Sequence, residues 1–297
     1  MSGFGYHVLG FGAFPSRDVV AGITGNATNV SAKAQFDATI WASSTAKILN
    51  ISSGVTLGGT SGTAALTIED DLGGSLLINN AGTVIGTGGA SAGAAGGHAI
   101  NCAVSGVTIN NTGQISGGGG AGNVGGVGGN GSTTQTTVST RNSYPSSTWQ
   151  FTTGAWSGVG SWTHPGGATS KSFGGHTFYR GAYAGTIGEA AYYQIIGHIV
   201  STVSTSGGAG GSFGVGAGYG QSATNGGSGS SGGTNAGAGG AGSDGAALGT
   251  AAATSSAGGN GNVSNGAAGN AGGAAGAAVT GTSVTMNNSG TLHGAVA

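Results

Sequence analysis

Between residues 21 and 85 short apolar runs alternate with small polar breaks, as in AKILNISSGVTLGG, AALTIEDD and SLLINNAGTVIG. Runs of Val, Ile, Leu and Thr bounded by Gly, Ser and Asn predict β-strands of about four to six residues joined by tight turns. The clearest internal pattern is apolar-Asn-Asn-x-Gly-x-apolar, which spans residues 77–84, 108–115 and 285–292. Asn and Gly accept positive φ at little cost, so each copy predicts a strand, a turn at Asn-x-Gly and a second short strand. The copies at Asn79 and Asn110 lie 31 residues apart. That spacing predicts successive coils or hairpins of one β structure, and the copy at Asn287 closes the chain.

Glycine tracts separate these copies: 86–97, 117–131 and a long run over 207–281. Within them glycine falls on every third position for short spans, at Gly119, Gly122, Gly125, Gly128 and Gly131, at Gly226, Gly229 and Gly232, and at Gly266, Gly269 and Gly272. A period of three matches polyproline II, and a glycine row along one side lets neighbouring helices approach closely. The phase resets between spans and the chain has only three prolines, which excludes collagen. Close-packed helices of this kind exchange backbone N–H···O bonds that side chains cannot supply. Flexible glycine linkers are the competing reading. The fold class expected is all-β with little or no α-helix: short β-strands in β-helix-like repeats, plus a bundle of glycine-rich polyproline-II-like helices.

Two segments differ in character. Residues 134–206 hold three of the four Trp and five of the seven Tyr, which marks an inserted subdomain. Its aromatics either form the core of a small β unit or present apolar faces to a ligand. Residues 1–20 carry Gly-Phe-Gly twice, with Phe4, Tyr6, Phe11 and Phe14 on a glycine frame. Such a segment suits a docking arm, or a strand packed back on its own domain. The expected division is therefore an arm over 1–20, β repeats over 21–133, the aromatic insertion over 134–206, and a glycine-helix bundle with a closing strand over 207–297.

Composition narrows the function. Of 297 residues 72 are glycine and 4% are charged, with a net charge of −1 and no basic residue after Arg180. Nucleic-acid binding needs clustered cations, so that partner is excluded. A disordered tract would carry more charge or proline and less Val, Ile and Ala. No stretch of 18 apolar residues occurs and the first residues lack a basic, then apolar, leader. Membrane insertion and classical secretion are thus not expected, and an extracellular role would come through assembly into a larger particle.

Candidate chemistry is sparse. The single Cys102 excludes an intrachain disulfide and a paired-thiolate zinc site, and reads as a small buried residue. The glycines at 117–120 lack a following Gly-Lys-Ser or Gly-Lys-Thr, so nucleotide binding is rejected. Glu69, Asp70 and Asp71 lack the spaced ligands of a calcium loop and read as a solvated turn. His164 and His176 lack further ligands for a metal. No acid, base or nucleophile sits in a catalytic motif, so neither an enzyme nor a cofactor is expected.

The order of motifs resembles the receptor-recognising glycine-rich adhesins of tailed bacteriophages, including those that cap long tail fibres and the C-terminal part of lambda-like tail tip proteins. The residues that carry the resemblance are ISSGVTLGG near Ile51, SLLINNAGTVIGTGG, GGHAINCAVSGVTINNTGQISGGGGAG and the ending GGAAGAAVTGTSVTMNNSGTLHGAVA, covering about 46–131 and 207–297. It implies attachment to a host surface protein or polysaccharide, a glycine-helix bundle as scaffold, and loops between helices as the contact surface. On position and residue type the receptor-binding candidates are Trp156, Trp162, Tyr179, Tyr183, Phe213 and Tyr219, with the stretch 225–235 as a further loop. Phe4, Tyr6, Phe11 and Phe14 would dock other tail proteins. The expected setting is the virion tail or fibre tip, assembled in the host cytoplasm, with the chain a homo-oligomer and a trimer favoured.

Two other classes fit parts of the pattern. A structural virion protein without receptor binding would share the β repeats but need no exposed aromatics. An ice-binding or cell-wall glycine bundle would explain the low charge and the period of three, but neither the arm nor the aromatic insertion.

Overall fold

The computed structural model of the protein describes residues 18–142, 149–153, 156–160, 170–173, 176–187, 190–282 and 284–296, with the backbone alone described over 136–201. The chain builds a parallel β-solenoid, a glycine-rich bundle and an antiparallel insertion, as the all-β reading with polyproline-II-like helices expects. Helix is confined to one 3-10 turn at Lys33–Gln35 and the five-residue α1, Ala38–Ala42, among the described residues.

Each solenoid coil places one strand in each of three parallel sheets. The first coil is β1 (Val19–Ile23), β2 (Ala27–Thr28) and β3 (Val30–Ser31), and the second is β4 (Lys47–Ile51), β5 (Thr56–Gly58) and β6 (Leu66–Ile68). The third is β7 (Leu76–Asn80), β8 (Thr83–Ile85) and β9 (Ile100–Cys102). The fourth starts with β10 (Val107–Asn111) and β11 (Gln114–Ser116). It leaves the solenoid at 117 and returns as β18 (Val279–Gly281), before β19 (Thr285–Asn288) and β20 (Thr291–His293) form the last coil. The Asn-Asn copies are therefore coils rather than hairpins: β10 pairs in parallel with β7 on one side and with β19 on the other.

The period-2 pattern sorts the side chains. Leu49, Ile78 and Ile109 point inward in register and are fully buried, as are Leu57, Ile68, Ile100 and Ile115. Each strand of the first sheet passes into the second through a turn, and after β7 an asparagine closes it. Asn80 accepts the Gly82 amide at 3.2 Å, the side-chain turn that lets β7 pass into β8 across two residues. Ile51 holds the same register position one coil earlier and cannot do this. Its corner takes four residues, 52–55, with Gly54 at φ 79°.

Stacked in register, the asparagines form two amide ladders. On the outer face Asn79 donates to Asn50 at 2.9 Å, Asn110 to Asn79 at 3.0 Å and Asn287 to Asn110 at 2.9 Å. At the buried corner Asn80 donates to Asn111 at 2.8 Å and Asn111 to Asn288 at 2.6 Å. Such ladders stabilise in-register parallel strands because each amide both gives and takes. Asn111→Ala removes the acceptor that Asn80 donates to and the donor to Asn288, while Asn80 keeps the Gln114 carbonyl, and is expected to cost about 1–2 kcal/mol, read as a drop in the unfolding midpoint.

The connection from β3 to β4 packs on the solenoid flank. Asp37 caps α1 through the Thr39 amide, and the fully buried Trp41 donates its indole N–H to Asp71 at 3.0 Å. Asp71 also pairs with Lys33 at 2.7 Å, which holds its carboxyl below the usual carboxylate range. Both partners are exposed, so the ion pair itself adds little.

Lys47 is 1% exposed at the start of β4, and its ammonium donates to the carbonyls of Ser43, Thr45 and Gly73 at 2.9, 2.8 and 2.5 Å. Burial pushes its pKa down from the usual lysine range. Lys47→Met leaves three carbonyls without the donor they share, and is expected to destabilise the chain by about 3 kcal/mol in a denaturant melt.

The corner between the second and third sheets grows along the solenoid, from residue 29 to 59–65, 86–99 and finally 117–278. The last two excursions form the glycine bundle, whose segments are joined by backbone bonds at three-residue intervals rather than the two-residue intervals of a β ladder. The amides of Gly119, Gly122, Gly125 and Gly128 donate to Ala217, Gly214, Gly211 and Gly208 at 2.8–3.0 Å. Those of Gly208, Gly211, Gly214 and Ala217 donate to Gly237, Gly240, Ser243 and Ala246. Gly237, Gly240, Ser243 and Ala246 donate back to Gly129, Gly126, Asn123 and Gly120, closing a triangle of three segments. The interval of three is the repeat of polyproline II.

Segment 117–130 is the axis. It bonds to six bundle segments, 86–93, 94–97, 208–217, 237–249, 250–259 and 267–276, and at its ends to His293 and to 263–264. A methyl group at Gly119, Gly122, Gly125 or Gly128 would overlap the carbonyls of Ala246, Ser243, Gly240 and Gly237, and one at Gly120, Gly126 or Gly129 those of Gly273, Ala267 and Ser264. Two rows of the threefold segment thus face backbone, interrupted only at Asn123, and the third, with Ala121, Val124 and Val127, carries the apolar side chains.

Candidate functional site

Bundle segments alternate in direction, so the turns between them gather at two ends. The near end abuts the solenoid: the Gly117 amide donates to His293 of β20 at 2.9 Å, and Gly249 donates to Gly117 at 2.8 Å. Tyr219 lies here. Its amide donates to Gly86 at 3.0 Å, and its ring lies on the Cα of Gly58 in β5, where a methyl group would overlap it. Tyr219 therefore wedges the bundle against the solenoid.

The far end carries everything else. The chain leaves the axis at Asn130 into β12 (Gly131–Asn142) and comes back through β17 (Ala190–Thr205), with Gly131 opposite Thr205. Beside this exit are the turns at 233–236 and 261–264. Side chains tie the three together. Asn262 accepts the Ser132 amide at 2.8 Å and donates to the Ser132 carbonyl at 3.0 Å, while Asn235 donates to the same carbonyl at 2.9 Å. Thr205 donates to the Thr234 carbonyl at 2.6 Å, and the Asn130 amide donates to Ser264 at 2.9 Å. Val263, at the tip of one turn, is 61% exposed.

The insertion continues from β12 and β17 as an antiparallel sheet that adds β16 (His176–Ile187) and β15 (Ser170–Phe173), with β13 (Trp149–Thr153) and β14 (Trp156–Gly160) as a separate hairpin. Of the residues singled out by type, Trp156 starts β14 opposite Thr153, Tyr179 sits on β16 between Ser170 and Ile196, and Tyr183 pairs with Tyr193 beside a register shift. Phe213 is half-buried midway along 207–218 and so is not at a turn. Trp162, Phe4, Tyr6, Phe11 and Phe14 lie outside the described residues. The backbone thus brings Trp156, Tyr179 and Tyr183 onto the insertion, and sets Phe213 and Tyr219 apart from it.

Asn235 ends the stretch 225–235 named above as a further loop, whereas Asn262 was not singled out. The signal available was only that Asn-rich breaks at 234–235 and 260–265 interrupt the glycine period. Among the described residues no group of His, Cys, Asp and Glu gathers as a metal site. Cys102 is buried, which pushes its thiol pKa up. The geometry offers a polar, hydrogen-bonded platform for contact.

Among solved structures the chain is similar to the gp37–gp38 adhesin tip complex of the bacteriophage S16 long tail fibre, with 18% identity over 95% of this chain and 83% of that one and a TM-score of 0.40. No curated protein matches. The family model described as phage tail fibre adhesin Gp38 matches residues 18–205, which run from β1 to the end of β17. The chain belongs to the phage tail fibre adhesin Gp38 family.

Proposed function

We propose that the protein attaches the virion to its host by binding a surface receptor with the far end of the glycine bundle. The observation that carries this reading is the convergence at that end of the inserted strands and the turns at 233–236 and 261–264, away from the solenoid. A bundle held by backbone bonds is a rigid base that leaves side chains at its tips free to vary, and preorganised contact surfaces lose less entropy on binding. The receptor is a host outer-surface protein or polysaccharide, and Trp156, Trp162, Tyr179 and Tyr183 of the insertion supply aromatic contact area.

The opposite part of the chain joins the fibre. Residues 1–17 lead directly into the first coil, and Phe4, Tyr6, Phe11 and Phe14 dock against other tail proteins, with a threefold assembly in the virion formed in the host cytoplasm. The protein acts by binding, without catalysis or cofactor.

Adsorption competition tests the reading. Purified chain added to sensitive cells is expected to bind saturably and to block infection by the phage that carries it. A folded chain that neither binds nor blocks would favour a purely structural role in the fibre.

A further inference from the structure

We infer that Asn262 and Asn235 are positioning residues that fix the insertion on the bundle, so that inserted strands and far-end turns act as one binding surface. The inference rests on the adhesin reading above. β12 is the edge strand of its sheet, with β17 on one side only. Along an antiparallel edge strand, residues alternate between bonding their neighbour and facing outward, and Ser132, whose N–H and C=O both meet Asn262, faces outward.

The Asn262 carboxamide takes both of those groups, accepting at 2.8 Å and donating at 3.0 Å, as the backbone of a neighbouring strand would. Asn235 adds a second donor to the Ser132 carbonyl. The two asparagines are themselves linked, because the Asn262 amide donates to the Asn235 carbonyl at 3.0 Å. Asn235 sits at φ 59°, a left-handed conformation that Asn accepts more readily than other residues with a side chain. The turn is thus shaped to bring a carboxamide to this point.

Without the clamp, β12 would keep no side-chain tie to the turns beyond Asn130, and the exit would be held only through Asn130 and Thr205. Gly131 cannot stiffen the exit with a side chain, since a methyl group there would overlap Asn235. Orientation must therefore come from the turns, through partners 130 and 103 residues away in sequence. Solenoid packing involves neither asparagine.

The test compares full-length wild type, Asn262→Ala and the Asn235→Ala/Asn262→Ala double variant, using labelled protein on cells of a sensitive strain and hydrogen exchange in parallel. Expected are faster exchange at the Ser132 amide, unchanged protection at Leu49, Ile78 and Ile109, and cell binding about ten-fold weaker. That loss follows if the competent orientation falls to about a tenth of the population. Asn262→Asp, which keeps the acceptor for Ser132 N–H but loses the donor, should fall between. Wild-type binding by the double variant with an exposed Ser132 amide would overturn the inference. So would a loss of binding that occurs only together with lost protection at Leu49, Ile78 and Ile109. Failure of wild type itself to bind would instead remove the adhesin reading.

Discussion

Gly125→Ala is expected to melt the bundle at a lower temperature than the early solenoid coils, with a loss of about 3 kcal/mol in bundle stability. Gly125 donates to Gly211 on one side, and its second hydrogen faces the Gly240 carbonyl on another. An added methyl meets a peptide group rather than the end of a side chain, and a peptide group bonded on both sides cannot move without breaking its own bonds. The gain of about 0.4–1 kcal/mol that Gly→Ala brings by restricting the unfolded chain is too small to offset this. Gly25→Ala is the control. Nothing lies near that position and its φ is not in the left-handed region, so the same gain should appear there as a slight stabilisation. Calorimetry of the two variants, with hydrogen exchange to assign the transitions, checks both.

Replacing residues 134–202 by Asn-Gly is expected to abolish adsorption while leaving the solenoid and bundle folded. Thr133 and Val203 face each other in the β12–β17 register, so a two-residue turn of this type closes the strands where they leave the bundle. The clamp of Asn262 and Asn235 on Ser132 remains in this variant. Loss of cell binding with an unchanged melting profile would locate the receptor contact on the insertion. Retained binding would move it to the turns at 233–236 and 261–264 or elsewhere.

The β repeats were legible because the signal was local. Each Asn-Asn-x-Gly copy holds its own inward residue, a corner asparagine and an outward asparagine. The spacing between Asn79 and Asn110 is one coil. What the copies could not reveal is that Asn287 stacks directly on Asn110 across 177 residues, since a ladder position looks the same whichever coil comes next. Coil and hairpin were likewise indistinguishable, because both begin with a strand and a tight turn.

The glycine rows were readable as threefold helices, but not which helix sits in the middle. Backbone bonds carry no residue identity, and the axial role of 117–130 shows only in its having glycine, apart from Asn123, on two of three faces. Tyr219 stood out as an aromatic in a glycine tract, yet its ring rests on Gly58 at the near end. The small residue that makes room for it gives no sign in sequence. Asn262 was hidden for the opposite reason: it is one of many asparagines in polar breaks, and its partner lies 130 residues earlier.

The most direct test of receptor contact at the far end is footprinting of the chain free and bound to sensitive cells. Protection confined to the insertion, 131–205, and the turns at 233–236 and 261–264, with the Asn50–Asn79–Asn110–Asn287 face and the Tyr219 turn unchanged, is the result expected. Protection centred on that solenoid face or on the Tyr219 turn, with the far end unchanged, would contradict the account.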